Sequence, residues 1–262
     1  MDFPANSKER GGYALDFSEE FDGAELNRSR WYPYMLPHWS SASASVAHYR
    51  LGDGRIKLLI EEDQEVWRPD GDRVSNLQTG HFSGSKGSEV GQFRVDPAFV
   101  VTNDLPVFEG YVPRFGYFET RVKATPVGGC HTALWMIGFD TMEAGEIQVF
   151  EIHGRNIGTE RSRVDHGVLP WSDPSLVDER HQAWLPIDAS EYHVYGVDWT
   201  PRHVDFYVDN ARVRRLEQSP QYQMQFMLGV YETPSETPSR ETAATYPIAC
   251  VVDYFRGYRR VS

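Results

Sequence analysis

Glu146 and Glu151, with Gln148 between them, lie in the run Gly145-Glu146-Ile147-Gln148-Val149-Phe150-Glu151-Ile152-His153. Two carboxyl groups held near each other suit acid/base and nucleophilic work on a glycosidic bond, provided their surroundings separate their pKa values. The run alternates like a strand, and strict alternation would put Glu146, Gln148 and Phe150 on one face and Ile147, Val149 and Glu151 on the other. Glu151 would then sit among aliphatic side chains, and an unpaired buried carboxylate costs several kcal/mol. A β-bulge between Gln148 and Glu151 inserts one residue and returns Glu151 to the face of Glu146. The two Cα atoms are then roughly 13 Å apart along the strand. Side chains leaning inward bring the carboxyl groups to about 5 to 7 Å, overlapping the separation in retaining glycosidases. From residue types alone, the same strand also reads as a solvated outer face.

The elements that must position this strand are short β-rich runs punctuated by Gly, Pro, Asn and Asp. Val204, Phe206 and Val208 alternate with polar residues between His203 and Asp209, and Arg212 to Leu216 follows as the second arm of a hairpin. Similar runs occur at Arg55 to Glu61, Tyr117 to Lys123, Thr132 to Gly138, Tyr192 to Asp198, Met224 to Tyr231 and Ile248 to Tyr258. The one marginal helical window is Ser175 to Ala183. The fold class is therefore all-β, a two-layer sandwich. At 262 residues with no internal repeat or linker, the chain reads as a flexible N-terminal tail over 1–12 and a single domain over 13–262. The weakly patterned stretch Val95 to Pro113 has the length of a functional loop and reads as a cleft wall.

A net charge of -12 opposes nucleic-acid and anionic-membrane partners and favours a neutral ligand. Seven Trp and 14 Tyr exceed the needs of one core, so some rings are expected to face that ligand. Apolar stretches such as Ile248 to Val252 are too short to span a bilayer. No secretory leader precedes Gly11, which leaves a secreted protein that has lost its leader or a cytoplasmic one. Cys130 and Cys250 match no metal spacing and read as buried free thiols, with one long-loop disulfide as the minority alternative.

These residues resemble glycoside hydrolase family 16, whose signature is a Glu-x-Asp-x-x-Glu strand preceded by Gly. Phe115 to Lys123 is similar to the family's strand before the site, and His131 to Gly138 to the strand leading into it. Tyr192 to Pro201 resembles its Trp-Thr-Pro strand, and Val252 to Phe255 its closing strand, in the family's order. The resemblance implies a β-jelly roll of two antiparallel sheets with a concave glycan cleft. Glu146 would be the nucleophile and Glu151 the general acid/base of an endo-acting retaining enzyme. The five-residue spacing is similar to that of laminarinases and galactan-degrading members, and β-1,3-glucan is the preferred substrate reading.

Trp135 matches a cleft aromatic, His153 shares the face of Glu151, and His166 and Trp171 lie in a segment similar to the next cleft strand, where Pro170 replaces a frequent His. Trp39, His38 and Tyr231 complete the implied cleft. Glu20 and Asp253 match positions near a convex-side calcium site, so a structural calcium is the one metal implied, and no cofactor is required. The partner is a polysaccharide or oligosaccharide, and the protein reads as a monomer.

The departure is Gln148, where the family has Asp. Its neutral amide can donate to ionised Glu146, and with one negative charge fewer both glutamates are expected to ionise more readily. Retained chemistry gives a hydrolase; lost chemistry gives a glycan-binding protein on the same fold. A structural module without a glycan role fits the excess of aromatic residues less well.

Overall fold

The computed structural model describes residues 1–69, 71–140, 145–233 and 245–261. In chain order its strands are β1 (Tyr13–Glu19), β2 (His48–Gly52), β3 (Arg55–Ile60), β4 (Arg73–Gln78), β5 (Gly80–His81), β6 (Phe108–Glu109), β7 (Gly116–Lys123), β8 (Cys130–Gly138), β9 (Glu146–His153), β10 (Ser162–Leu169), β11 (Glu179–Leu185), β12 (His193–Trp199), β13 (Val204–Val208), β14 (Ala211–Leu216), β15 (Met224–Glu232) and β16 (Ile248–Arg260). The cleft sheet has the order β11-β10-β9-β8-β15-β4. The back sheet runs β14-β13-β12-β7-β16-β3-β2, with β1 also paired to β16. The two-layer sandwich expected from periodicity is present.

Alternation decides which side chains meet between the sheets. Leu134, Met136, Ile147, Phe150 and Ile152 of the cleft sheet join Phe118, Val122, Val197 and Phe206 of the back sheet in one buried cluster. Burying each such side chain fully contributes about 1.5–3 kcal/mol. The hairpin between β13 and β14 turns at Asp209 and Asn210, whose φ values of 51° and 66° are those of a type I′ turn. Cys130 and Cys250 are both buried and free.

Two expectations differ. The window Ser175 to Ala183 forms no helix: its C-terminal part enters β11, an edge strand whose pairing with β10 outweighs a weak helical period. The N-terminal residues are not loose either. The Phe3 amide donates to the Tyr192 carbonyl at 2.7 Å, Arg121 donates to the Phe3 carbonyl, and Asn6 Nδ2 donates to Glu119 at 2.8 Å. Glu119 and Arg121 are buried on the back sheet and need partners there, which this segment supplies.

A second apolar cluster lies on the outward face of the cleft sheet. Val74, Ala133, Trp135, Met227 and Tyr231 are covered there by Met35, Leu36, Trp39, Phe99 and Val101. These loops pack over part of this face, and the cavity beside them stays open from Val74 and Tyr231 across β8, β9 and β10 to β11. Phe99 and Val101 belong to the stretch expected to wall a cleft, and they anchor that cover.

Candidate active site

β9 carries the bulge. Leu134 of β8 pairs with Phe150 and Trp135 with Gln148, while on the other side Asp165 pairs with Glu151 and Gly167 with Gln148, so Val149 is the extra residue. Ile147, Val149, Phe150 and Ile152 consequently enter the core, and Glu146, Gln148 and Glu151 share the outward face. They border a cavity of about 840 Å³ that reaches from Val74 and Tyr231 to Arg180 and Gln182 on β11.

The two glutamates occupy different surroundings. Glu146 is 7% exposed and accepts a hydrogen bond from Trp171 Nε1 at 2.8 Å. Burial pushes its pKa up to about 8, the Trp171 hydrogen bond opposes the rise, and the charge of Glu151 adds to it. Glu151 accepts from Gln148 Nε2 at 2.8 Å on one oxygen and meets His153 Nε2 at 2.6 Å on the other. Burial pushes Glu151 up as well, but the His153 hydrogen bond, the imidazoles of His131 and His153 and the Gln148 amide outweigh it and hold it below the usual range. The expectation that Gln148 would donate to Glu146 and ease the ionisation of both glutamates is therefore half corrected. The bulge turns the amide toward Glu151, which ionises more readily, while desolvated Glu146 ionises less.

Trp135 and Tyr231 form the cleft floor, with Trp135 Nε1 donating to the Tyr231 hydroxyl at 2.8 Å. Trp171 stands at the end of β10, 48% exposed, and meets Phe93 edge-on at 5.0 Å. Phe93 also packs 5.0 Å from Trp135, so three rings wall the Glu146 end. Phe93 and Trp171 adopt φ values of 55° and 43°, a region bulky residues seldom occupy, and such strain clusters at functional sites.

His166 and Trp39 do not reach the cleft. The register that places Asp165 opposite Glu151 turns His166 into the core, 5.1 Å from Phe206, where burial lowers its pKa to about 4. Trp39 is buried beneath the wall and donates to the Gln92 carbonyl at 2.7 Å, and His38 Nε2 lies 3.2 Å from the same oxygen. Together they hold the loop that presents Phe93. Gly91 is needed there because a Cβ would lie 2.7 Å from both rings.

Glu20 and Asp253, the pair read as a calcium site, each face an arginine. Arg256 binds Glu20 through Nε and Nη2, both at 2.8 Å, and Arg121 binds Asp253 at 2.7 Å, so each carboxylate is neutralised by a guanidinium. Among the described residues, the three side-chain ligands close enough to share an ion are Asp198, His203 and Asp205. Arg260 and Arg215 already bind the two aspartates.

Sequence reasoning passed over His131, Asp165, Arg180 and Phe93. His131 lies two alternations before Trp135 and stacks on Tyr231 at 4.6 Å and 3°. Asp165 is the neighbour of His166, so the parity of β10 alone separates the correct choice from the wrong one. Phe93 lies outside the strands, and the sequence carries no signal for it.

An all-β sandwich with two glutamates facing an aromatic cleft from a bulged strand defines the class, and comparison with known proteins makes it specific. The chain belongs to glycosyl hydrolases family 16, whose model matches residues 111–247. It is 24% identical over 217 residues to "Glucan endo-1,3-beta-glucosidase A1" of Niallia circulans, covering 76% of this chain and 28% of that protein. It is 29% identical over 113 residues to "Endo-1,3-1,4-beta-glycanase EglC" of Rhizobium meliloti, covering 43% of this chain and 23% of that protein. The chain thus spans about a quarter of the length of these relatives. Among solved structures, the GlcNAcα1-4Gal-releasing endo-β-galactosidase of Clostridium perfringens matches with a TM-score of 0.82 and 30% identity, over 99% of this chain and 65% of that one. The catalytic domain of a laminarinase from Thermotoga petrophila RKU-1 matches with a TM-score of 0.67 and 16% identity, over 95% of this chain and 99% of that one, and shares the jelly-roll fold.

Proposed function

We propose that this chain is an endo-acting retaining β-glycosidase of a neutral glycan, with Glu146 as nucleophile and Glu151 as general acid/base. The observation that carries this is the Val149 bulge, which returns both carboxyl groups to one open cleft. Glu146 would attack the anomeric carbon while Glu151 protonates the departing oxygen; Glu151 would then deprotonate the water that releases the sugar from Glu146. Trp135 and Tyr231 offer faces for sugar stacking. A cavity that crosses the whole sheet suits cleavage within a chain.

For the linkage, similarity over 99% of the chain to the endo-β-galactosidase supports a galactose-containing glycan. The curated relatives support the alternative of a β-1,3-glucan. A second functional reading, a glycan-binding protein with little or no catalysis, is favoured by the two donors that hold Glu151 ionised.

Incubation with laminarin, mixed-linkage glucan, agarose and mucin-type O-glycans, with reducing ends assayed beside Glu146→Gln and Glu151→Gln, separates these readings. Hydrolysis that both substitutions abolish, with the β-anomer as first product, supports the retaining enzyme. Binding without product supports the glycan-binding protein. Neither binding nor product removes both.

A further inference from the structure

Trp184 on β11 has no part in the chemistry at Glu146 and Glu151, yet it stands on the same face of the same sheet. Asp165 pairs with Gln182 and Gly167 with Arg180, and Asp165, Gln182 and Arg180 border the cleft cavity. Arg163 and Trp184 are the next pair on that side, because directly opposed residues of antiparallel strands point the same way. The cleft cavity ends on β11 at Gln182, and Trp184 follows it on the same face. Two strand spacings of about 4.8 Å and an offset of two residues put the Trp184 Cα ~12 Å from that of Glu151.

The side chain is 52% exposed, whereas Trp31, Trp39 and Trp199 are fully buried. The Arg161 guanidinium lies 4.9 Å from the Trp184 ring centroid, and among the described residues no carboxylate pairs with it. Ring and guanidinium border a second cavity, of about 360 Å³, together with Asn156 and Thr159 of the connection between β9 and β10. An open indole with an oriented, unpaired donor beside it has the two chemistries that a hexopyranose presents. The apolar face of the sugar stacks on the ring, and its hydroxyl oxygens accept from the guanidinium.

We propose that Trp184 and Arg161 form a distal sugar subsite, which takes a hexose unit of the same glycan that lies across Glu146 and Glu151. This rests on the glycosidase reading of the cleft and adds a length preference: only a chain that extends past Gln182 reaches the subsite.

The test is binding to the inactive Glu146→Gln protein, with and without Trp184→Ala, using laminarihexaose, neoagarohexaose and the corresponding disaccharides. Trp184→Ala is expected to weaken binding of the favoured hexasaccharide about 3- to 10-fold and to leave disaccharide affinity unchanged. Trp184→Phe should restore most of the loss, which a change in folding would not do. Equal hexasaccharide affinity with and without Trp184 overturns the subsite. If none of these sugars binds the Glu146→Gln protein and the wild type neither binds nor cleaves the wider glycan panel, the glycan reading of the cleft falls and takes the subsite with it.

Discussion

Gln148→Asp tests how this site distributes its protons. In the empty cleft near neutral pH, Glu146, at about 8, carries the proton and Glu151 is ionised, whereas the retaining reaction needs the reverse. Both arrangements hold one proton between the two carboxyl groups, so the productive one is a minor tautomer of a coupled pair. The Gln148 amide donates to Glu151 at 2.8 Å and stabilises the unproductive form. A hydrogen bond to a charged group contributes about 1.5–3 kcal/mol. Replacing that donor by a carboxylate removes it and adds a like charge, which raises the Glu151 pKa by about one to two units at 1.36 kcal/mol per unit. Glu146 takes its hydrogen bond from Trp171 and not from Gln148, so the change falls mainly on Glu151. The productive tautomer should become about ten times more populated at the lower end of that range, with a matching rise in kcat. Reducing-end assays across pH, on the glycan that the wild type cleaves best, measure this. Activity that is unchanged or lower in a variant with the wild-type Tm refutes the proton argument.

Trp171→Phe keeps a ring over Glu146 but removes its hydrogen bond, which lowers the Glu146 pKa. The basic limb of kcat/KM, which reports loss of the pair's last proton from Glu146, should move up by about one pH unit; an unmoved limb would separate Trp171 from the nucleophile. Glu146 holds a proton up to about pH 8 in the folded protein but releases it near 4.5 when unfolded, so its contribution to stability declines as pH rises between those values. Glu146→Gln removes that decline, and its gain in Tm over wild type should be larger at pH 8 than at pH 5. Equal gains at the two pH values would count against the desolvated glutamate. Because arginines occupy Glu20 and Asp253, adding Ca²⁺ or a chelator should leave Tm unchanged, and a Tm that rises with Ca²⁺ in the wild type but not in Glu20→Gln would overturn this.

Much of the molecule is a local property of its sequence. Period-two alternation in Val204 to Val208 and the Asp209-Asn210 turn determine the hairpin, since both depend only on neighbouring residues. The clash between Glu151 and its aliphatic neighbours was enough to require a bulge between Gln148 and Glu151, and Val149 supplies it. Parity then places Glu146, Gln148, Glu151 and His153 together without knowledge of any partner strand. Parity within β10 depended instead on its register against β9, and that reversed the roles of Asp165 and His166. Only the tertiary structure decided the direction of the Gln148 amide, the desolvation of Glu146 beneath Trp171, and the arginine partners of Glu20 and Asp253. The amide direction follows from the bulge geometry between two near neighbours, and the other two depend on residues distant in sequence that pack within a few ångströms, which no local pattern encodes.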